Sequence, residues 1–212
     1  MMNKFQTRKL GLATLAIILP LWGCTVLAPQ KDETRFFVLM PAQNQPALSS
    51  AAPQALVVGL GPITIPAYVN RPEVVTRMNE SELKVSDTDR WGERLDLNIA
   101  RVLAADLSDQ LGTRQVLNYP WPPRPPIDYA VPVAFQRFER TADGHVVILA
   151  KWTVRNGKDG LILRNGTTSI DDPSGPDTAS ASQALSRGLA QVSRDVAQVI
   201  ASDRGPAEIG RR

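Results

Sequence analysis

Apolar residues along this chain of 212 amino acids follow two different periods. In ERLDLNIARVLAADLSDQL, residues 93 to 111, Leu95, Ile99, Val102, Leu103, Leu107 and Leu111 recur three and four apart, with Arg94, Arg101, Asp106 and Asp109 mostly off the stripe. This spacing predicts an amphipathic helix with one buried face, ended by Gly112 at its C-cap. A second helix is predicted over roughly 178 to 202, where Ala181, Leu185, Leu189, Val192, Val196, Val199 and Ile200 keep the same spacing and Gly205 and Pro206 supply the stop.

The remaining apolar runs are short, β-branched or alternating, and predict strands. They are FFVL (36 to 39), ALVVGLGPITIP (55 to 66, bulged at Gly59 and Gly61), EVVTRM (73 to 78) and ELKVS (82 to 86), the last two joined as a hairpin around Asn79. RQVLNY (114 to 119) is a further short strand, and two long ones, 129 to 141 and 145 to 156, are joined across Ala142, Asp143 and Gly144. In the second of these Val146, Ile148, Ala150, Trp152 and Val154 share one face, while Lys151, Thr153 and Arg155 share the other, so one side is core and the other wet. GLILRNGTTSI (160 to 170) adds a strand, and DDPSGPD (171 to 177) is expected as turn and helix-capping residues. Residues 41 to 54 form a low-complexity loop, and the proline run PWPPRPPID (120 to 128) is expected as a stiff extended loop. Two helices with single apolar stripes must cover a sheet with one wet face. The expected fold is α+β, a mixed and mostly antiparallel sheet with two long amphipathic helices packed on one face.

The first residues change the picture of where this domain works. Lys4, Arg8 and Lys9 precede an uncharged run from Leu10 to Leu21, then Gly23 and Cys24. This is the pattern of a signal peptide (1 to 23), too short for a spanning helix. The string Leu21, Trp22, Gly23, Cys24 resembles the lipobox of bacterial lipoproteins, with Trp22 in place of the usual small residue. Cys24 is the single cysteine of the chain; it can form no internal disulfide, and acylation is its expected use. Several acyl chains hold a protein on a membrane durably. Thr25, where aspartate would retain a Gram-negative lipoprotein in the inner membrane, points to the periplasmic face of the outer membrane. Residues 24 to 35 are read as a tether spanning at most about 40 Å, residues 36 to 203 as the domain, and 204 to 212 as a disordered tail. The leader holds three of the 24 Lys and Arg, leaving 21 against 21 Asp and Glu. A formally neutral mature chain gives no support for nucleic-acid binding.

Candidate chemistry is sparse. The GLG at 59 to 61 opens like a phosphate loop, but Thr64 stands where a third glycine is needed, and strand and proline follow instead of a helix. His145, the lone histidine, lies at a hairpin tip without a catalytic partner beside it in sequence; a hydrolase would have to rest on it. Asp171 and Asp172 are read as turn and capping residues, and Asp87, Asp89, Glu93 and Asp96 as a carboxylate-rich approach to the first helix. Arg90 and Trp91 could pair or stack across the fold, or Trp91 could be buried at the helix entry. Trp121, on the proline-rich loop, could anchor a partner or belong to a rigid cover over the sheet.

Taken together, VVGLGPITIPAYVNRPEVVTR and RWGERLDLNIARVLAADLSDQL are similar to the pattern of the ABC-type transport auxiliary lipoproteins, the group that includes paraquat-inducible protein C. The matching positions are Gly61, Pro62, Pro66, Tyr68, Arg71, Pro72 and Val75, then Arg90, Trp91 and Leu95, with Phe37 standing where tyrosine is common. The resemblance runs from Phe36 to the last helix. It implies a non-enzymatic outer-membrane lipoprotein without cofactor. The partners it implies are an MCE-domain protein that carries lipid between membranes and that protein's inner-membrane partner, with a ring-forming homo-oligomer docking or receiving the periplasmic tube. Tyr68, Arg71, Pro72, Arg90, Trp91 and Trp121 are the candidate interface residues. A tethered regulator of cell-wall synthesis or envelope assembly is the alternative.

Overall fold

The computed structural model describes residues 31–43, 48, 56–121 and 126–203. The leader, Cys24, the stop at Gly205 and the tail lie outside the described residues. The elements are β1 (Arg35–Phe37), β2 (Val57–Thr64), β3 (Glu73–Arg77), β4 (Leu83–Trp91), α1 (Leu95–Leu111), β5 (Gln115–Asn118), β6 (Tyr129–Thr141), β7 (His145–Asn156), β8 (Ile162–Pro173) and α2 (Thr178–Asp203).

The sheet is organised on β6. One edge of β6 takes β7 antiparallel, and β7 takes β8 antiparallel. The other edge is shared: β2 runs parallel along Tyr129–Ala134, and β3 runs parallel beside Arg140 and Thr141. β5 pairs outside β2, β4 outside β3, and β1 outside β4. β2 and β3 therefore point the same way along one strand edge, and residues 65 to 72 cross the gap between them. Four ladders are parallel and three antiparallel, the two longest being antiparallel. The mixed α+β sheet is as expected. Its parallel ladders outnumber the expectation because alternation marks a strand without marking its neighbour.

Both helices lie on one face, side by side, with α1 against β2 and β5 and α2 against β7 and β8. All six stripe residues of α1 are buried, and Gly112 closes the helix in the left-handed conformation at φ 64°. Fully buried Leu95, Ile99, Leu103 and Leu107 stabilise the layer by about 1.5–3 kcal/mol each. On β7 the five residues predicted to face inward are all buried and Lys151 and Arg155 are exposed. Among the described residues no helix is long and apolar enough to cross a membrane.

Two local expectations are corrected. Asp171, Asp172 and Pro173 are the end of β8, not a turn, because β8 pairs with β7 as far as His145 opposite Pro173. Proline is tolerated there on an edge strand, and Asp177 does the capping by accepting the Ser180 backbone N–H at 2.8 Å. Asp87 and Asp89 likewise lie in β4, not at the helix entry. Asp89 is buried, takes both the Nε and Nη2 of Arg35 at 2.9 and 2.7 Å, and accepts the Thr178 hydroxyl at the start of α2. Burial raises its pKa, but the Thr178 and Arg35 bonds outweigh burial and hold the carboxyl below its usual range.

Beyond β1 the chain crosses the helix layer, held by polar side chains. Asn98 accepts the Leu39 N–H at 2.7 Å and donates to the Leu39 carbonyl at 3.1 Å, and Ser186 accepts the Met40 N–H at 3.1 Å. Asp106 accepts the Ala42 N–H at 2.9 Å through Oδ1, while its buried Oδ2 has no partner among the described residues. Burial raises its pKa from 3.8 to about 6. The folded chain thus binds this proton more tightly than the unfolded chain. Its stabilising effect is full below pH 3.8 and is lost as pH rises through about 6. Asp106→Asn is expected to flatten that part of the stability profile and to recover up to about 3 kcal/mol at neutral pH. Urea unfolding at a series of pH values tests this, and an unchanged slope would refute the assignment.

Candidate functional site

The crossing segment IPAYVNRP begins at a bulge. Between Leu60 and Ile63 the register on β6 slips by one residue, at the cis Gly61–Pro62 peptide. Gly61 has φ 113°, and a Cβ there would lie 2.7 Å from the Tyr119 Cβ. Gly59 is constrained less: its Cβ would meet the movable end of Ile127 at 2.7 Å and the Trp121 ring at 3.2 Å. The two glycines make room for the proline-rich loop's aromatic residues. The segment then turns, with the Pro66 carbonyl accepting the Val69 N–H at 3.1 Å, and Val69 plugs the core at 3% exposure.

Its second half is fastened to β4 through Glu73. Arg71 Nε donates to Oε2 at 2.8 Å and Arg90 Nη1 donates to Oε1 at 2.7 Å, so each carboxylate oxygen has its own guanidinium. Hydrogen bonds from Arg71, then Arg90, pull the Glu73 pKa down to about 2. Glu73 and Arg90 are also cross-strand partners, and the Trp91 N–H donates to the Pro72 carbonyl at 2.7 Å. The arginine-proline and arginine-tryptophan pairs, far apart in sequence, are two sides of one joint. Arg71 and Arg90 remain partly exposed on its rim; Trp91, at 8% exposure, belongs to the core and supports the joint from beneath.

Tyr68 covers a second ionic cluster. Arg77 donates to both oxygens of Glu139, at 2.6 and 3.1 Å, and its guanidinium carbon lies 5.4 Å from the Tyr68 ring centroid. Arg137 adds bonds of 2.9 and 2.8 Å to the same Oε1. The Glu139 side chain has no exposed surface. Burial alone would raise its pKa, but Arg77, Tyr68 and Arg137 hold it below the ordinary range. Burial and the neighbouring Glu139 raise the Tyr68 phenol in turn. Above this cluster opens a groove of about 850 Å³ between Tyr68, Met78, Arg137 and the β6–β7 turn.

Structure thus brings together Tyr68, Arg71, Pro72 and Arg90, and sets Trp121 elsewhere, edge-on to Tyr119 with ring centroids 5.2 Å apart. Trp121 packs over Gly59 as part of a cover on the sheet; the loop's residues 122–125 lie outside the described residues. His145 Nδ1 lies 2.9 Å from Asp171 Oδ1 at the hairpin tip. Among the described residues no group of three His, Cys, Asp or Glu is placed to hold a metal ion. Sequence reasoning passed over Glu73, Arg77 and Glu139. Glu139 lies opposite Val147 on the face of the sheet away from the helices, where a charged residue is ordinary; no strand pattern marked it, and the covering Tyr68 comes from a distant loop.

A family model of the ABC-type transport auxiliary lipoprotein component matches residues 37–197. A comparison with curated proteins finds no match. Among solved structures, that of an uncharacterized protein is 20% identical, covering 79% of this chain and 99% of its own, with a TM-score of 0.63. Protein XCC0632 from Xanthomonas campestris is 17% identical, with coverage of 80% and 98% and the same TM-score of 0.63. These structures share the fold. The family match spans both halves of the joint at Glu73, all of α1 and α2 as far as Ala197, and on that ground the chain belongs to the ABC-type transport auxiliary lipoprotein component family.

Proposed function

We propose that this protein is an outer-membrane lipoprotein, acylated at Cys24, that serves without catalysis as an accessory subunit of an MCE-type intermembrane lipid transport system. It docks or receives the periplasmic tube, as a ring of identical subunits. The observation that carries this reading is the rim built by the family's own motif residues. Arg71 and Arg90 share Glu73, so the joint keeps one net positive charge at a partly exposed surface beside the Tyr68 groove. A fixed rim of this kind loses little entropy when a partner docks.

Arg71 separates interface from scaffold. Its ion pair with Glu73 is exposed, and exposed pairs contribute little to stability. Arg71→Glu is therefore expected to leave the unfolding midpoint nearly unchanged while weakening assembly on the MCE-domain protein by tenfold or more (about 1.4 kcal/mol or more). Site-specific photocrosslinking from position 71 in cells, against the MCE-domain protein, checks the contact. An Arg71→Glu chain that folds and still crosslinks and assembles like the parent would overturn the interface. Tyr68 is a poorer probe, because it packs on the core and covers Glu139.

A further inference from the structure

The β7–β8 hairpin ends in a protrusion: every residue from Gly157 to Asn165 is exposed. Leu161, Ile162 and Leu163 are 65, 53 and 36% exposed and consecutive. Isolated exposed apolar residues are ordinary, but three adjacent ones at the start of an edge strand are a liability unless something covers them. The turn that presents them is well formed. The Asn156 N–H donates to the Leu161 carbonyl and the Gly160 N–H to the Asn156 carbonyl, both at 2.9 Å, and the Asn156 and Asp159 side chains cap the Lys158 and Leu161 N–H groups.

Two features say what kind of surface fits. Successive strand residues point to opposite faces, so Ile162 and Leu163, the first two residues of β8, lie on opposite faces, and exposed Leu161 stands just before them. A flat protein surface would cover one face, whereas a lipid interface entered end-on covers both. Beside them stand Arg155, Lys158 and Arg164, all exposed and, among the described residues, in no ion pair. Further along β8 the exposed residues Asn165, Thr167, Ser169, Asp171 and Asp172 are polar or acidic, and only Pro173 at its end is not. The apolar character is confined to the tip and does not run along the edge as strand pairing would need.

We propose that this tip is a lipid-contact site: Leu161, Ile162 and Leu163 enter the interface of an anionic bilayer while Arg155, Lys158 and Arg164 meet its phosphates. It is remote from the tether entry. Arg35 is linked through Asp89 to Thr178 at the start of α2, whereas the tip follows Asn156, which pairs with Tyr129, whose hydroxyl bonds Asp203 at the end of α2. That helix of 26 residues is about 39 Å long. Tip binding needs no acylation of Cys24, so it can fail or succeed apart from the proposed anchor.

The test uses the leaderless chain from Thr25 to Arg212, sedimented with vesicles of phosphatidylethanolamine and phosphatidylglycerol and, separately, with pure phosphatidylcholine. The parent chain is expected to partition onto the anionic vesicles and only weakly onto the neutral ones. Lys158→Glu and Arg164→Glu should each reduce partitioning at least about fivefold, and Leu161→Asp with Ile162→Asp at least about tenfold. A Leu161→Trp chain, whose new side chain is exposed and leaves the fold intact, should show blue-shifted emission with anionic vesicles. Equal sedimentation of parent and variants, or no emission shift, would overturn the proposal. So would conversion of a larger species to a smaller one in the aspartate variant without loss of vesicle binding, which would make the tip a protein contact.

Discussion

Replacing Glu139 by alanine is expected to destabilise the domain by about 3–5 kcal/mol, the range for removing one partner of a buried ion pair. Its side chain has no exposed surface, and it is the shared counter-charge of Arg77, at 20% exposure, and Arg137, at 39%. Removing it leaves the Arg77 guanidinium largely out of water with two bonds unmade, and takes away the acceptor beneath Tyr68. Arg137→Ala should cost far less, within about 1 kcal/mol, because water already reaches that group. The double change Arg77→Met and Glu139→Leu should recover much of the loss, since apolar groups of similar size leave no charge stranded. Urea unfolding of the four chains measures all of this. If Glu139→Ala costs under about 1 kcal/mol, solvent screens the cluster and it does not fix the Tyr68 groove. The folded-state pKa of Glu139 is lowered, so its contribution is present above the ordinary carboxyl value and fades as pH falls through the folded value.

What could be read from the sequence was whatever depends on local period. Both helices, the limits of β6 and β7, the bulge at Gly61 and the inward face of β7 all follow from spacing within one segment. The sharing of one edge of β6 by β2 and β3 could not be read, because a parallel neighbour is chosen by the whole sheet. Buried polar residues were missed for the same reason. Asp106 falls off the apolar stripe of α1 and is nonetheless 1% exposed, since the chain after β1 covers it. Asp89 looked like a helix-approach carboxylate until Arg35 and Thr178, distant in sequence, closed around it. At the candidate site the motif residues were legible as a set. Their joint was not, because Glu73, which binds both arginines, carries no mark of its own beside the arginines and prolines.

Gly166→Ala is the second large effect, and it tests a glycine that strand periodicity leaves unexplained. A Cβ at 166 would lie 2.1 Å from Cζ2 and 2.2 Å from Cη2 of Trp152, so the indole lies flat on the bare backbone of β8. No small adjustment of a rigid ring relieves that overlap; Trp152 must leave its place or β8 must separate from β7. Either movement breaks a relay. Trp152 Nε1 donates to the Thr168 hydroxyl at 3.0 Å, and that hydroxyl donates to Asp195 on α2 at 2.5 Å. The indole, at 8% exposure, would lose packing on both sides, for an expected loss of about 3 kcal/mol. The change should appear first as a red shift of tryptophan emission and then as a lower urea midpoint. Combining it with Trp152→Leu, which removes the obstructing ring, should cost clearly less than the sum of the two single changes. Full additivity would mean that Gly166 is required for some reason other than the ring above it.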